Sequence, residues 1–472
     1  MTNDIHLLSV GGRNVLYHAI TTKAFLLTDA QRNAWQEGRP LQEVFSEEEH
    51  ALLDQKGFLP GPNEFDLSAC IAKNHQERPD VFALYLILTE QCNMNCAYCS
   101  QSSFRTRSRM GNMSTDVLAS VLEKFYATHT KRRRTVVLYG GEPTLNRPGI
   151  EYAVNHIRQT RRDETTEIVI FTNGLLLDEA LALFLKHGDV HIILSLDGHP
   201  EINDQCRCIG HEGSFAHIQK AIELLQKHQI PFGISSTIAA HNVQRLGEET
   251  AWMYETYHPF SLGLNPIHYV PEERKALSVE PGLMADKMIE AYQTARRYGL
   301  YIEQIMRRVR PFVLGRPRLK DCPACGGMIR ALPDGSFGPC GHFMEEQKER
   351  ERASTGFADG TVMKKWNTRL NASMKDCQGC PAIALCGGGC PYNSLKNGGH
   401  IFTANDERSC EQARHILHWL LEELVREFPA DTFQEIRAED KKRLLGKIDL
   451  SVPVPMSGYS RYGEFSVDER FL

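Results

Sequence analysis

No apolar run in the 472-residue chain approaches the length of a membrane-spanning helix: the stretch Val81 to Leu88 is only eight residues, against about 20 required. An excess of one charge is missing too. The chain has 54 Lys and Arg against 59 Asp and Glu, a net charge of −5 with both signs mixed, and so gives no electrostatic case for a nucleic-acid partner. The basic stretch Lys131 to Arg134 reads as a solvated loop. The opening MTNDIHLLSVGGRNV lacks a basic segment leading into an apolar core and a small-residue cleavage site. The expectation is a cytoplasmic protein with no membrane or nucleic-acid partner.

Cysteine, in contrast, is plentiful. A chain of this length can bury several cores and suggests two to four domains, so its 14 cysteines are not needed as disulfide staples. In a reducing compartment, spaced thiols bind metal more often than they pair. Eleven of them form two groups: Cys92, Cys96 and Cys99, then Cys322, Cys325, Cys340, Cys377, Cys380, Cys386, Cys390 and Cys410. Three [4Fe-4S] clusters would take about twelve thiolates, one per iron. Eleven leave one iron open, where chemistry can occur.

Residues 1 to 75 open with β-like runs at His6–Val10, Asn14–His18 and Ala24–Leu27 and then turn helical. Thr28 or Asp29 would cap a first helix, and Ser46-Glu47-Glu48-Glu49 opens a second that ends at Gly57. Strands followed by short helices make a winged-helix-like unit, closed by the breakers Pro60, Gly61 and Pro62. From 80 to 310, apolar runs at Phe82–Leu88, Thr135–Tyr139, Glu167–Phe171, Val190–Leu196, Phe232–Ile238 and Ser261–Ile267 alternate with helical segments such as Ser114–His129, Asp178–Lys186 and Ser214–Lys227. That alternation predicts an α/β fold with parallel strands, and in such folds ligands sit beyond the carboxyl ends of the strands. The unusual motifs fall there: the Cys92–Cys99 loop, Gly140-Gly141-Glu142-Pro143, Thr172-Asn173-Gly174 and Ser195-Leu196-Asp197-Gly198. Residues 311 to 428 carry the second cysteine group and an amphipathic helix from about Glu411 to Phe428. Residues 429 to 472 read as a tail without clear periodicity beyond Leu445.

The spacing Cys92-x3-Cys96-x2-Cys99 can hold three corners of a cubane; a structural zinc site is the alternative, but it wants four ligands. With Tyr98 before the last cysteine, and Gly140 to Pro143 at a strand end, it resembles the signature of the radical S-adenosylmethionine superfamily. The resemblance implies a partial (β/α)6 TIM-like barrel. S-adenosylmethionine would complete the open iron through its amino and carboxylate groups, and its cleavage would yield a 5′-deoxyadenosyl radical. Implied cofactor contacts are Tyr98, Gly140 and Gly141, where backbone approaches the ligand, Glu142 as an acceptor, Asn173, Ser195, and Arg207 as a partner for a carboxylate.

The later cysteines, Cys325-x9-Gly335-x4-Cys340, Cys377-x2-Cys380-x5-Cys386-x3-Cys390 and Cys410, resemble the SPASM extension of that superfamily. Asp334-Gly335 reads as a hairpin turn. The resemblance implies two auxiliary [4Fe-4S] clusters, with Cys340 and Cys390 joining Cys325 and Cys322 in the first and Cys377, Cys380, Cys386 and Cys410 holding the second. Without Cys322, the first would keep an open iron for a substrate thiolate. A pair of zinc ribbons is the alternative.

SPASM relatives mostly act on peptides or proteins. The N-terminal unit looks like the winged-helix precursor-recognition element of peptide maturases, which implies capture of a leader peptide by strand addition. Flavodoxin or ferredoxin is the reductant the family implies. In anaerobic sulfatase-maturating enzymes an Asp follows the cysteine matching Cys340, whereas here Gly341 stands in that place, leaving His342 as the nearest candidate base. Cys206 and Cys208 are candidate hydrogen-atom donors, and Cys70 reads as inert packing. The leading expectation is a peptide-modifying enzyme giving a crosslinked, oxidised or epimerised product. The alternatives are maturation of a folded protein and a non-catalytic electron-transfer protein.

Overall fold

The computed structural model describes residues 4–59, 71, 72, 74, 76–99, 111–160, 165–343, 356–452, 454 and 455. Cys70, Pro60 to Pro62 and the segment beyond 455 lie outside them. In the N-terminal unit, strands β1 (Ile5–Val10), β2 (Arg13–His18) and β3 (Ala24–Leu27) form an antiparallel meander. Helices α1 (Asp29–Gln36), α2 (Leu41–Val44) and α3 (Glu47–Gln55) follow. Thr28 with Gln31, and Ser46 with Glu49, form capping boxes that satisfy otherwise orphaned amides at two helix starts.

The central layer is a parallel sheet wound in chain order. Strands β4 (Ala83–Thr89), β5 (Arg134–Gly140), β6 (Thr166–Thr172) and β7 (Val190–Ser195) lie side by side. After the short hairpin β8–β9 (Cys208–Gly213), β10 (Phe232–Ile238) and β11 (Ser261–Pro266) continue the sheet. Helices α4 (Thr115–Ala127), α5 (Arg147–Thr160), α6 (Glu179–His187), α7 (Pro200–Cys206), α8 (Phe215–Lys227), α9 (Leu246–Tyr257) and α10 (Pro281–Tyr298) supply the crossovers. This is the expected α/β partial barrel. Strand alternation sends Leu84, Leu86, Val136 and Leu138 toward the helices, where they pack with Leu118 and Val154, while Tyr85 and Val137 join a separate cluster on the other face.

One side of the barrel is closed by the cysteine-rich region. There β13 (Met328–Ala331) runs parallel to β4, and β14 (Phe337–Gly338) turns back through Gly335 at φ +78°. On the other side, β12 (Tyr301–Ile302) follows β11 and leads into α11 (Glu303–Leu314). That helix crosses the boundary expected at residue 310, so core and cysteine-rich region are joined by a continuous rod. Arg134 also departs from the expected solvated loop: it begins β5 and donates to the carbonyls of Phe125, Tyr126 and Thr128.

The expected C-terminal tail does not stand apart either. After α12 (Glu407–Val425), the strand β15 (Gln434–Ile436) pairs antiparallel with β3 and becomes the fourth strand of the N-terminal sheet. Beyond it, Lys441 is buried and donates to the carbonyls of Thr22 and Phe312, its ammonium 4.7 Å from the Phe312 ring. Thr22 adopts φ +58° at the tip of the β2–β3 hairpin, so one side chain fastens the N-terminal unit to α11.

Burial, with Lys23 nearby, lowers the Lys441 amine from 10.5 to about 7. Between those values the unfolded chain holds a proton that the folded chain has released, so stability rises with pH across that window. Relative to Lys441→Met, the wild type should gain about 2 kcal/mol between pH 7 and pH 9, measured by thermal unfolding of both proteins across a pH series. A gap that stays constant would show that the amine keeps its proton when buried.

Candidate active site

At the carboxyl ends of the strands lies a cavity of about 390 Å³, lined by the cysteine loop, the glycine-rich turn and the ends of β6, β7, β10 and β11. That volume suits a cofactor-sized ligand. Cys92, Cys96 and Cys99 share its wall with Tyr98, Gly140, Gly141, Glu142, Asn173, Ser195 and Arg207. The structure thus brings together all ten residues that the sequence pointed to here.

The cysteine loop has little regular structure of its own and is held by its neighbours. Asn95 and Ala97 donate their amides to the carbonyls of Cys208 and Cys206, and Arg274 donates to the Cys99 carbonyl. The glycines serve this packing: a Cβ at 140 would lie 2.2 Å from the Thr89 carbonyl oxygen, and one at 141 would lie 2.2 Å from that of Gln91. Real side chains do not approach that closely. Gly141 and Glu142 also donate their amides to those same two carbonyls. The glycines therefore permit close contact with the backbone entering the cysteine loop.

Glu142 is buried and accepts from the Thr144 amide and hydroxyl, the Thr172 hydroxyl and the Asn173 amide. Burial raises its carboxyl pKa, and these hydrogen bonds oppose the rise. It ties the end of β5 to the end of β6. Asn173 donates to the Asn93 side chain and accepts from the Leu175 amide, which also makes it a loop fastener.

Tyr98 joins three elements. Its hydroxyl donates to Asp197 Oδ2 at 2.6 Å and accepts from Arg207 Nη1 at 2.8 Å. Asp197 Oδ1 accepts from the Thr237 amide, and His241 stacks on the Tyr98 ring with its Nε2 3.4 Å from Asp197 Oδ2. Arg207 is buried, and among the described residues its Nε has no hydrogen-bond acceptor. Burial raises the Cys96 thiol pKa while the Arg207 charge pulls it down. A buried cation with an unmatched donor, beside three thiols, is suited to a carboxylate and an anionic cluster. Asp197 and His241 belong to this site although spacing gave them no role; the only sequence signal was Asp197's place in a strand-end motif.

Cys206 and Cys208 do not line the cavity. Burial pushes the Cys206 thiol up to about 12, and Cys208 Sγ contacts the Asp204 carbonyl at 3.4 Å. Their contribution to the cysteine loop is through backbone carbonyls. His342 does not line the cavity either. It stacks on Tyr392 at 4.2 Å, and burial brings its pKa to about 3, a poor proton acceptor. His268 and Arg330, which the sequence did not mark, do line it.

The later cysteines gather into two quartets. Cys322 feels the charges of Cys325, Cys340 and Cys390, whereas Cys410 feels those of Cys377, Cys380 and Cys386. Buried cations organise the loops around them. Arg308 donates to Asp321 and to the carbonyls of Leu385 and Cys386, Lys320 to the Cys325 carbonyl, and Arg369 to the carbonyls of Gly388 and Ala404. Among the described residues, no three His, Cys, Asp or Glu side chains are drawn tightly enough to hold a single metal ion.

Residues 86–248 match the Radical SAM superfamily, and the chain carries a radical SAM domain, the class that this barrel and three-cysteine cavity define. Over 329 residues, 63% of this chain and 85% of the relative, it is 24% identical to the cysteine-type anaerobic sulfatase-maturating enzyme of Clostridium perfringens. It superposes on native anSMEcpe with bound AdoMet and Cp18Cys peptide with a TM-score of 0.62 at 19% identity, covering 73% of this chain and 98% of that one. Streptococcus suis SuiB bound to precursor peptide SuiA gives a TM-score of 0.56 at 12% identity, covering 87% and 99%. No helix among the described residues is long and apolar enough to cross a membrane.

Replacing Tyr98 with Phe should leave a buried carboxylate and a buried guanidinium each short of a partner. The expected cost is about 1–3 kcal/mol in thermal unfolding, together with weaker S-adenosylmethionine binding by calorimetry on the cluster-loaded protein. Unchanged values for both would remove the bridge from the account.

Proposed function

We propose that the chain is a radical S-adenosylmethionine enzyme that modifies a peptide made on the ribosome. The observation that carries this reading is the joining of three parts: a three-cysteine cavity at the barrel mouth, two further thiol quartets, and an N-terminal sheet unit suited to strand addition. The relatives support it, since one was solved with the precursor peptide SuiA and another with the Cp18Cys peptide.

In this reading Cys92, Cys96 and Cys99 hold the S-adenosylmethionine-binding [4Fe-4S] cluster, and each quartet holds an auxiliary one. Bound there, the cofactor and a cluster reduced by one external electron would supply the chemistry of hydrogen-atom removal from a substrate, with methionine as the other cleavage product. Arg207 pairs with the ligand carboxylate, and Tyr98 and Asp197 keep that guanidinium in place. The aromatic wall of Tyr85, Tyr139 and Phe171 limits water in the cavity. Cys322 completes the first quartet, so its iron carries no open position.

Sulfatase-type oxidation fits less well. Where the resemblance implies an Asp after Cys340, a Cβ at Gly341 would lie 3.0 Å from Arg330 Nη1. A cation occupies the surroundings of the missing base.

Anaerobic reconstitution should load about 12 irons per chain, and reductant with S-adenosylmethionine should give 5′-deoxyadenosine and methionine. Cys96→Ala should abolish that cleavage while keeping about 8 irons. Cys322→Ala should alter the spectrum of one auxiliary cluster and leave cleavage in place. A fully loaded protein that forms no 5′-deoxyadenosine, alone or with candidate peptides, would leave only the electron-transfer alternative.

A further inference from the structure

Two guanidiniums line the cavity at the barrel mouth, those of Arg207 and Arg330, and they differ in what surrounds them. Arg207 is bridged to Asp197 by the Tyr98 hydroxyl. On α11, Arg307 pairs with Glu303 at 3.0 Å and Arg308 with Asp321 at 2.7 Å. Arg330 has no acid of this kind. Among the described residues its guanidinium makes no hydrogen bond or ion pair, and its Nε is buried without an acceptor.

Strand register explains the position. Arg330 lies beside Tyr85 in the β13–β4 ladder, so both side chains leave on the face that looks into the barrel. There the guanidinium sits over the rings of Tyr85 and Tyr139, 4.9 Å and 5.6 Å from their centroids. Ring contact engages the flat face of a guanidinium and leaves its edge of N–H donors for a planar acceptor. A cation removed from water in this way is costly until an anion reaches it. Cys340 and Cys322 would bring negative charge near it as thiolates, but neither sulfur accepts a hydrogen bond from it. Gly341 keeps the approach open: a Cβ there would lie 3.0 Å from Arg330 Nη1, and an acidic side chain would pair with it.

We propose that Arg330 is a specificity-determining residue that binds a carboxylate of the peptide substrate, either an Asp or Glu side chain or the C-terminus, beside the residue that loses hydrogen. The proposal rests on the peptide-modifying reading and adds to it the chemistry of the segment that enters the cavity. Two cations then serve two anions, Arg207 the carboxylate of the cofactor and Arg330 that of the substrate. Because arginine keeps its charge at every working pH, this recognition does not depend on titration.

The probes are two pools of randomised, N-acetylated heptapeptides without cysteine, one amidated at the C-terminus and one with a free carboxylate. Each is passed anaerobically over the immobilised full chain, loaded with clusters and S-adenosylmethionine but without reductant, and the retained peptides are sequenced by mass spectrometry. Enrichment of Asp or Glu by about tenfold in the amidated pool assigns the site to an acidic side chain, and a similar preference for the free-carboxylate pool assigns it to a C-terminus. Arg330→Gln should lose the preference, Arg330→Lys should keep part of it, and Arg330→Glu should turn it toward Lys and Arg. Gly341→Asp, which supplies an internal carboxylate, should lose it with the guanidinium still in place and with the iron content of the wild type.

No acidic or C-terminal preference in the wild type would overturn the proposal. So would a preference that survives in Arg330→Gln, whose altered auxiliary-cluster spectrum would then show a cation serving the first quartet alone. Should Arg330→Gln fail to load iron, Gly341→Asp decides, and acidic selection that survives in it counts against the proposal. 5′-Deoxyadenosine formation is measured separately on the same preparations with reductant, so an active enzyme without carboxylate selection would sink this inference and leave the enzymatic reading standing.

Discussion

Eleven thiols in two groups lie in or near a protein interior that also holds several buried cations, and much of the structure around them answers to that packing of charge. Burial alone raises thiol pKa values, as Cys322, Cys325, Cys340, Cys377 and Cys390 illustrate. The counterweight is a set of buried cations: Arg207 beside Cys96, Arg330 beside Cys340, Lys320 and Arg369 near Cys325, and Arg308 near Cys386. Several of these side chains do a second job. The cysteine-rich loops form few ladders, so their carbonyls need other donors, and Arg308, Lys320 and Arg369 provide them. Charge compensation and backbone satisfaction are thus met by the same groups.

The barrel positions these loops by sharing their edges. The first cysteine loop leans on the carbonyls of residues 206 and 208, on the glycine turn after β5, and on Arg274. The hairpin β13–β14, which carries Cys340 at its end, extends the barrel sheet beside β4. The cavity and the first quartet are consequently separated by side chains, Tyr85, Tyr139 and Arg330, with the guanidinium 4.9 Å from one ring and 5.6 Å from the other. Rigid strands therefore hold the space between the two sites.

Periodic and spaced features were legible in the sequence. Each of the six barrel runs became a strand within a residue or two at either end, and Ser114 and Asp178 cap the helices they were expected to open. Spacing grouped the cysteines, and the Asp334-Gly335 turn joins the strands it was expected to join. What escaped notice has no period. His241, His268 and Arg330 reach the site from three different places, and only the closed barrel brings them near it. Gln434-Glu435-Ile436 carries no strand signal, because its pairing depends on an edge that β3 offers from the far end of the chain. His342 was favoured by closeness in sequence to Cys340, but packing against Tyr392 turned it aside.

The pairing of β3 with β15 also orders events during synthesis. Leu26 emerges from the ribosome roughly four hundred residues before Gln434, its partner, and domains generally fold in the order they appear. Here the first unit made is the last one finished. Its sheet stays one strand short, and the Phe25 and Phe45 surfaces stay uncovered, until the whole barrel and both cysteine quartets have been translated. Closure of the N-terminal sheet can therefore report that the chain has been made past α12.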